Sequence, residues 1–339
     1  MAGDGTGHVV KSGNTVFLTG GTGFIGSRLA RVLRARGDRV RCLVRDPSRA
    51  GGLARLGAEL IAGDITDRAA LARGLAGADA AIHLAAIYDV GVVNESAMER
   101  VNVAGTKAFL ESTAKAGTSR CIHVSTTVAL GPVSVGTGDE STRNHGPYRS
   151  AYERTKVDAH ERALAAQQSG LPLIIVCPSY VYGAGDTGPG GRFLRDLVRG
   201  RVPGLLARPA WFSFVHVDDV VSGIVSALDR GETGESYVLS GEEATINVFA
   251  ARAAAAAGVR VPFLRFPAPL ARMTGRVLDM MTRATGARFP ITRENVDTVA
   301  GHRWLHSHAK ATEELSWVPR SLAEGLPTTM TWAKTGAAT

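Results

Sequence analysis

Tyr152 and Lys156, in the stretch SAYERTK, are the two side chains whose types and spacing best suit proton transfer. If this stretch is helical, both side chains lie on one face of the helix, one turn apart. An ammonium group beside a phenol stabilises the phenolate and lowers the tyrosine pKa, which is about 10 in water. A tyrosine with a lowered pKa can act as a general acid or base, although the YxxxK spacing also occurs by chance.

Three hydroxyl side chains end the strand that precedes this helix in the sequence. They are Ser125, Thr126 and Thr127, in the stretch HVSTTVALG. In a doubly wound parallel sheet, ligands bind beyond the carboxyl ends of the strands. A hydroxyl there could hold a carbonyl or alcohol oxygen while the tyrosine transfers its proton. That arrangement suits hydride transfer to or from a nicotinamide ring.

A glycine-rich turn, LTGGTGFIG, follows the first apolar run and opens a helical pattern. Gly20, Gly23 and Gly26 give a GxxGxxG spacing, and Gly21, Gly23 and Gly26 also satisfy GxGxxG. Glycine allows a sharp turn and close approach of the backbone to a pyrophosphate, whose charge the helix N-terminus stabilises. Because the turn lies between a predicted strand and a predicted helix, it predicts a dinucleotide site.

The end of the second predicted strand, LVRDPSR, bears on the choice of dinucleotide. An arginine at this position accommodates the 2′-phosphate of NADP, whereas an acidic residue binds the ribose hydroxyls of NAD. Arg45 therefore favours NADP. The alternative is that Arg45 is an ordinary surface residue and Asp46 binds the ribose of NAD.

The composition is that of a globular protein with an excess of basic residues. The chain has 339 residues, 45% of them hydrophobic, and a formal net charge of +8. The charge favours anionic ligands such as nucleotides, but the arginines are scattered, so we expect no nucleic-acid partner. No stretch is long enough to span a membrane and the N-terminus has no apolar signal segment. We expect a cytoplasmic protein with a loose leader at residues 1–13.

Cysteine and histidine spacing gives no indication of a metal site. Cys42, Cys121 and Cys177 are far apart in the sequence, and each lies in or beside a predicted strand, as expected of buried free thiols. His83, His123 and His216 lie in separate predicted strands, so we expect histidines of the core or of strand ends and no bound metal.

Strand-like and helix-like segments alternate from residue 15 onward, which predicts an α/β fold with a doubly wound parallel sheet. The predicted strands are 15–20, 39–45, 58–64, 78–86, 120–126 and 171–179, and the predicted helices are 24–37, 67–77, 95–117 and 151–169.

Residues 14–182 form the predicted dinucleotide-binding core. Residues 212–241 are expected to return to its sheet, and 183–211 with 242–330 are expected to form a smaller substrate-binding cap. The stretch 262–288 is the least regular part of the pattern. It suits a pocket lining or an ordinary surface better than a membrane surface.

Eight segments, in this order, resemble the extended short-chain dehydrogenase/reductases, also called the NAD-dependent epimerase/dehydratase family. They are TGGTGFIG (19–26), GDITD (63–67), HLAA (83–86), NVAGT (102–106), STT (125–127), YERTK (152–156), CPSYVYG (177–183) and FVHVDDV (214–220). LVRDP, HLAA and the region near 290–295 are most similar to its dihydroflavonol-reductase-like branch.

The resemblance implies a role for each matching residue. Tyr152 would be the general acid or base, Lys156 would lower its pKa and bind the nicotinamide ribose, and Thr126, or failing it Ser125, would orient the substrate oxygen. Asn102 would fix the central helix. Residues expected to contact the cofactor are Gly20, Thr22, Gly23, Phe24, Ile25, Gly26, Arg45, Asp64, Ile65, Leu84, Ala85, Ala86, Tyr152, Lys156, Pro178 and Val181. Residues expected to contact the substrate are Tyr88, Ser125 and Thr126.

The sequence departs from the family pattern at three places. Cys177 precedes the proline where arginine is frequent, Leu130 precedes Gly131 where tyrosine is common, and Thr127–Val128 stand where dehydratases carry an Asp–Glu pair. The last departure argues against sugar dehydration.

We therefore predict an oxidoreductase that prefers NADP, with NAD possible, acting on a carbonyl or secondary alcohol of a small molecule. One alternative is a sugar epimerase with tightly bound NAD, whose cap would need basic residues for a pyrophosphate: Arg192, Arg195, Arg265, Arg272 and Arg293. The other is a non-catalytic NADP sensor. The family resemblance also predicts a homodimer through helices 95–117 and 151–169.

Overall fold

A seven-stranded parallel sheet with helices on both faces forms the larger part of the molecule. The computed structural model describes residues 13–336, apart from 90, 92, 93, 288 and 290, so the predicted leader lies outside the described residues except for Gly13. The strand order is β10-β6-β5-β4-β1-β2-β3, and every pairing is parallel. This is the predicted doubly wound α/β fold.

The strands are β1 (Thr15–Thr19), β2 (Arg39–Val44), β3 (Glu59–Ala62), β4 (Ala80–His83), β5 (Arg120–Val124), β6 (Leu173–Pro178), β7 (Tyr180–Tyr182), β8 (Leu205–Leu206), β9 (Trp211–His216), β10 (Ser236–Leu239), β11 (Glu242–Thr245), β12 (Arg265–Phe266) and β13 (Arg303–Trp304). The helices are α1 (Phe24–Ala35), α2 (Gly51–Arg55), α3 (Arg68–Leu75), α4 (Glu95–Met98), α5 (Thr106–Ala116), α6 (Thr127–Leu130), α7 (Ala151–Gln168), α8 (Pro189–Val198), α9 (Val217–Arg230), α10 (Ile246–Ala257), α11 (Ala268–Thr285), α12 (Arg293–Val299), α13 (Ala309–Leu315) and α14 (Leu322–Thr335). A 3₁₀ turn spans Pro47–Arg49, and a π-helical segment, Glu99–Gly105, joins α4 to α5.

The large sheet is apolar on both faces because its strands are nearly continuous runs of buried residues, as parallel sheets require. Strands β1, β4, β5 and β6 are buried almost throughout. One core lies between this sheet and helices α1 and α9, and the other lies between the sheet and α3, α5 and α7. The cysteines Cys42, Cys121 and Cys177 are free thiols within these cores, as predicted.

A second, smaller sheet forms around β9 with a core of its own. Strand β9 pairs antiparallel with β11 and parallel with β7 and β13. Its core contains Phe212, Phe214 and Phe249 and is closed by α8, α10 and α14. The prediction that residues 212–241 return to the large sheet is therefore wrong for 212–216: only β10 rejoins that sheet, and α9 packs against it.

One further local prediction is wrong: the stretch 262–288, expected to be irregular, contains the regular 18-residue helix α11. Asp218 and Asp219 lie in the first turn of α9, and the residue that caps this helix is His216. Asp219 forms an ion pair with Arg320, and Asp218 forms one with Arg28. Among the described residues, no helix is both long enough and apolar enough to cross a membrane.

Candidate active site

The glycine-rich turn between β1 and α1 leads into a helix N-terminus that no side chain caps. Gly20 has φ +74°, and a Cβ there would lie 2.7 Å from the backbone of Leu84 and Ala85. Gly23 is the N-cap of α1, so no side chain caps the helix, and its first turn contains no acidic residue. The first N–H groups of α1 are thus available to an anion, with Thr22 exposed beside them and Phe24 and Ile25 half-buried.

The segment that follows β4 runs directly beside this turn. The backbone N–H of Leu84 donates to the carbonyl oxygen of Thr19, at 3.2 Å, and that of Ala85 donates to the Thr19 hydroxyl, at 3.3 Å. Ala86 is exposed on the same segment. The absence of a side chain at Gly20 permits this close approach, and the segment stays the one expected to run beside the cofactor.

Arg45 is exposed immediately after β2. The neighbouring Asp46 carboxylate caps the 3₁₀ turn, where its Oδ1 accepts hydrogen bonds from the backbone N–H of Ser48, at 3.0 Å, and from its hydroxyl, at 2.6 Å. These hydrogen bonds hold the Asp46 pKa below its usual value. One carboxylate oxygen is thus engaged locally, whereas Arg45 is exposed at the carboxyl end of β2.

At the end of β3 the two residues expected to meet the adenine lie in different surroundings. Asp64 is half-buried, and its Oδ1 accepts from the hydroxyl of Thr66, at 2.8 Å. Ile65 is buried in the core and packs against Gly105: a Cβ added at Gly105 would lie 2.7 Å from the Ile65 side chain. The Ile65 side chain is therefore committed to packing, and only its backbone is left for a ligand.

Two expected cofactor contacts lie at or just after the end of β6, the strand next to the edge strand β10 of the large sheet. Pro178 ends β6 and is buried, and Val181 is half-buried in β7. Both lie where the chain passes from the large sheet to the small one, at Ser179.

The hydroxyls after β5 divide between two neighbours. Thr126 is the N-cap of the short helix α6, and its Oγ1 accepts a hydrogen bond from the backbone N–H of Val128 at 3.3 Å. The Ser125 hydroxyl lies 3.0 Å from Nδ1 of the buried His160 on α7. Thr127 is buried.

Tyr152 lies in the first turn of α7, half-buried, and Lys156 follows one turn later, almost completely buried. Ser150 begins this helix by accepting from the backbone N–H of Glu153, at 2.8 Å. The side chain of Thr126 lies close enough to the Tyr152 phenol to influence its pKa. The ring of Tyr88 lies 4.7 Å from the ring of Tyr152, centroid to centroid. Thr126, Tyr152 and Tyr88 thus come from three distant segments and meet at one place.

Burial dominates the electrostatics of the pair. It raises the Tyr152 pKa to about 12, and the nearby Thr126 side chain opposes that shift. Burial also lowers the Lys156 pKa to about 8, and its Nζ donates to the Val124 carbonyl oxygen at 3.4 Å. Burial therefore sets the direction of both shifts in the protein without cofactor, and a role of Lys156 in lowering the Tyr152 pKa stays a prediction.

Asn102, in the π-helical segment, connects the segment that carries Tyr88 to helix α7. Its Oδ1 accepts from the backbone N–H of Ile87 at 2.7 Å, and its Nδ2 donates to the Ile87 carbonyl and to the Thr155 hydroxyl, both at 3.1 Å. Ile87 precedes Tyr88, and Thr155 precedes Lys156. The amide therefore fixes the two segments that bring Tyr88 and Tyr152 together, and π-helical turns are frequent at such sites.

The three histidines considered as metal ligands, His83, His123 and His216, each contact other groups of the protein. His83 lies between the hydroxyls of Thr19, at 2.8 Å, and Thr106, at 3.0 Å. His123 stacks on the His83 ring with centroids 5.4 Å apart, and His216 caps α9. Within the described ranges, no group of three or more histidine, cysteine or acidic side chains is arranged to hold a metal ion.

Two residues near the site escaped the sequence reasoning. His160 lies eight residues after Tyr152, so its spacing with Tyr152 and Lys156 along one helix face could have revealed it. Asp186, in the loop before α8, is buried, and burial raises the pKa of its carboxyl group. A Cβ at Gly190 would lie 3.0 Å from Asp186 Oδ2 and 3.1 Å from the Tyr180 hydroxyl, so these polar groups lie close together.

The arginines considered for a pyrophosphate on the cap are engaged within the protein. Arg272 and Arg293 pair with Asp297, at 2.6 and 3.4 Å, and Arg195 donates to the Asp186 carbonyl at 3.2 Å. Arg265 donates to the Pro262 and Leu264 carbonyls. Arg192 is exposed but engaged as well: it donates to the Thr187 carbonyl at 3.2 Å and lies 3.4 Å from Asp89.

Comparison with known proteins identifies a family and relatives that match most of the chain. A model described as the NAD dependent epimerase/dehydratase family matches residues 16–240. A 3β-hydroxysteroid dehydrogenase/Δ5→4-isomerase of Mycobacterium tuberculosis is 31% identical over 280 residues, 77% of this chain and 74% of the relative. A putative dihydroflavonol 4-reductase of Synechocystis is 29% identical over 335 residues, 96% of each chain. The crystal structure of gox2253 superposes with a TM-score of 0.81 at 32% identity, covering 95% of this chain and 98% of that one.

Proposed function

Because the chain belongs to the NAD-dependent epimerase/dehydratase family, we propose that it is an NADPH-dependent reductase of a small-molecule carbonyl. The observation that carries this proposal is the meeting of Tyr152 with the Thr126 hydroxyl and the Tyr88 ring beyond the carboxyl ends of the strands. A phenol and a hydroxyl at such a place can share one substrate oxygen.

The proposed roles follow from the chemistry of each side chain. The nicotinamide, when bound, supplies a hydride to the carbonyl carbon. Thr126 donates a hydrogen bond to the carbonyl oxygen, and Tyr152 transfers its phenolic proton to that oxygen, so that the carbonyl becomes an alcohol. Tyr88 lies against Tyr152 and would cover one side of the substrate.

The protonation state of Tyr152 in the cofactor-free protein is the one that reduction requires. A phenol with a pKa near 12 is protonated at neutral pH, which is the form needed to donate a proton. Oxidation of an alcohol would instead require phenolate. Lys156, which we propose binds the nicotinamide ribose, would supply positive charge beneath the ring and make the phenolate left after transfer less costly.

The preference for NADP rests on Arg45. Its guanidinium is exposed at the end of β2, where a 2′-phosphate would lie, while the Asp46 carboxylate is bonded to Ser48. The remaining proposed cofactor contacts are those expected from the sequence, with Ile65 contributing its backbone rather than its side chain. We propose that the cap, residues 183–211 and 242–330, takes the substrate.

Epimerisation with tightly bound NAD is the second candidate, since the matching family includes epimerases. Dehydration is disfavoured because Thr127 and Val128 replace the acid–base pair after Thr126, and Thr127 is buried. A non-catalytic sensor would have no need of the Tyr152–Lys156 pair.

One experiment separates the candidates. The purified protein is denatured and any released nucleotide identified, and the emptied protein is then titrated with NADPH and NADH. An empty site with preference for NADPH, followed by turnover of a ketone from a panel that includes steroid and flavonoid ketones, supports the reductase. Stoichiometric NAD retained through purification would overturn it in favour of the epimerase.

The family resemblance also leads us to propose a homodimer through α5 and α7. Light scattering should then give particles of twice the 35.5 kDa chain. Particles of one chain mass would contradict the dimer.

A further inference from the structure

Exposed apolar side chains concentrate on α11 and the turn before it. Half of the large hydrophobic residues that are exposed among the described residues fall within 263–281. Phe263 is 85% exposed, Met280 is 66% exposed and Met273 is 59% exposed. The full set, which we call the α11 patch, consists of Phe263, Leu264, Leu270, Met273, Val277, Met280 and Met281. Patches of this kind on a folded surface mark interaction sites.

Helical periodicity places the patch on one side of α11. Leu270, Met273, Val277 and Met280 recur at spacings of three and four residues, so they share one face. The opposite side is anchored: a Cβ at Gly275 would lie 2.6 Å from the backbone N of Arg293, which shows that α11 and α12 touch at backbone distance. The helix therefore turns its apolar side outward, the reverse of an ordinary surface helix.

The patch is bordered by positive charge. Residues 260–285 contain five arginines and a single carboxylate, Asp279. Asp279 accepts from the backbone N–H of Arg293 at 3.1 Å, so it is turned toward α12 rather than the patch. Arg276 and Arg283 are exposed on α11, on the helix face next to the apolar one.

We propose that the α11 patch binds the surface of an anionic lipid bilayer. An amphipathic helix with apolar residues on one exposed face and arginines beside it inserts shallowly among lipid head groups, and anionic lipids strengthen the contact. A second copy of this chain fits less well, because a two-fold contact through the patch would bring the same arginines toward each other. The proposed contact is with the bilayer surface, through the exposed apolar face of α11.

The test is sedimentation of the full-length protein with vesicles of phosphatidylcholine alone and of an equal mixture of phosphatidylcholine and phosphatidylglycerol. We expect binding to the anionic vesicles that weakens in high salt, and little binding to the neutral ones. The triple variant Met273→Gln, Val277→Gln and Met280→Gln should bind at least about tenfold more weakly. The double variant Arg276→Gln and Arg283→Gln should lose a similar factor at low salt.

Matched controls lie elsewhere on the surface. Val135→Gln with Val318→Gln removes two other exposed apolar side chains, and Arg31→Gln with Arg39→Gln removes two other exposed arginines. Both control pairs should bind as the parent does. A second measurement uses Val277→Cys labelled with an environment-sensitive maleimide dye, because the three natural cysteines are buried. Its emission should shift to the blue with anionic vesicles.

Three results would overturn the proposal. One is a parent protein that stays in solution with both vesicle types while the labelled Val277→Cys variant shows no shift. The second is vesicle binding that the α11 substitutions and the control substitutions change to the same extent. Self-association seen by light scattering would also overturn the proposal if the triple variant loses self-association and keeps its vesicle binding.

Discussion

The hydroxyl of Ser125 lies 3.0 Å from Nδ1 of His160, a pairing that joins the end of β5 to the buried face of α7. Ser125 is thereby engaged on the side of the core, and the side chain of the adjacent Thr126 lies close to the Tyr152 phenol. The two hydroxyls are neighbours in sequence, yet the structure gives them different partners, which bears on which one meets the substrate.

Thr126→Val should reduce kcat by about a hundredfold, because the variant keeps the shape but cannot hold the substrate oxygen. Ser125→Ala should leave kcat within a few-fold of the parent and lower the melting temperature, since it leaves the His160 nitrogen without its partner. Steady-state kinetics and thermal unfolding measure both. Equal losses of kcat in the two variants would contradict the assignment of Thr126.

Tyr152→Phe should lower kcat by about a hundredfold or more while leaving NADPH binding and the melting temperature nearly unchanged, because it removes only the transferable proton. Tyr237→Phe is the matched control. Its hydroxyl, on β10, donates to Glu314 at 2.8 Å, so its loss should affect stability and not turnover. A fully active Tyr152→Phe variant would rule out the proposed mechanism.

Lys156→Met should stabilise the cofactor-free protein at pH 7 by about 3 kcal/mol, because the buried ammonium has a pKa of about 8 against 10.5 for an ordinary lysine. Below pH 8 the lysine is protonated in both the folded and the unfolded protein, so the full free-energy cost of burying the ammonium lowers the stability of the parent. Between about pH 8 and 10.5 the folded protein releases this proton first, and the parent gains stability as pH rises. Denaturant unfolding of parent and variant across this range should show their difference shrinking, and a constant difference would refute it.

Arg45→Gln should weaken NADPH binding by about tenfold or more and leave NADH binding unchanged, because only NADPH carries the 2′-phosphate. Arg39→Gln, an exposed arginine at the opposite end of the same strand, is the control and should alter neither affinity. Cofactor titration by fluorescence gives the dissociation constants. A parent that prefers NADH, with no effect of Arg45→Gln, would favour Asp46 as the ribose-binding residue.

Asn102→Ala should cost about 1–3 kcal/mol of stability, because it leaves the Ile87 backbone groups without their partner. It should also lower kcat, since Tyr88 loses its fixed position against Tyr152. Thermal unfolding and kinetics measure the two effects. A loss of stability with unchanged kcat would restrict Asn102 to a structural role.

The sequence predicted the large sheet because buried parallel strands and the helices between them have distinct periodicities. It also predicted the glycine-rich turn and the Tyr152–Lys156 face, since both depend on local spacing. The helix predicted at 95–117 occupies nearly that range, but its π-helical segment at Asn102 has no signature in residue types.

Features that depend on long-range packing could not be predicted in the same way. The apolar pattern of 211–216 marks a strand but does not say which sheet the strand joins. The helix at 268–285 was missed because its apolar residues face outward, so its pattern has no relation to a core. The pKa values of Tyr152 and Lys156 depend on how deeply each group is buried, and the depth of burial cannot be predicted from the spacing of two residues in the sequence.

The construction of the small sheet around β9 determines how the polypeptide could be shortened. Strand β9 takes its partners from both sides along the chain: β7 precedes it, and β11 and β13 follow it. A fragment ending near residue 240, where the family match ends, would keep β9 but lose β11 and β13 together with α10 and α14. The exposed edge and the uncovered aromatic residues should make such a fragment prone to aggregate, so we expect that the segment matched by the family model does not fold independently.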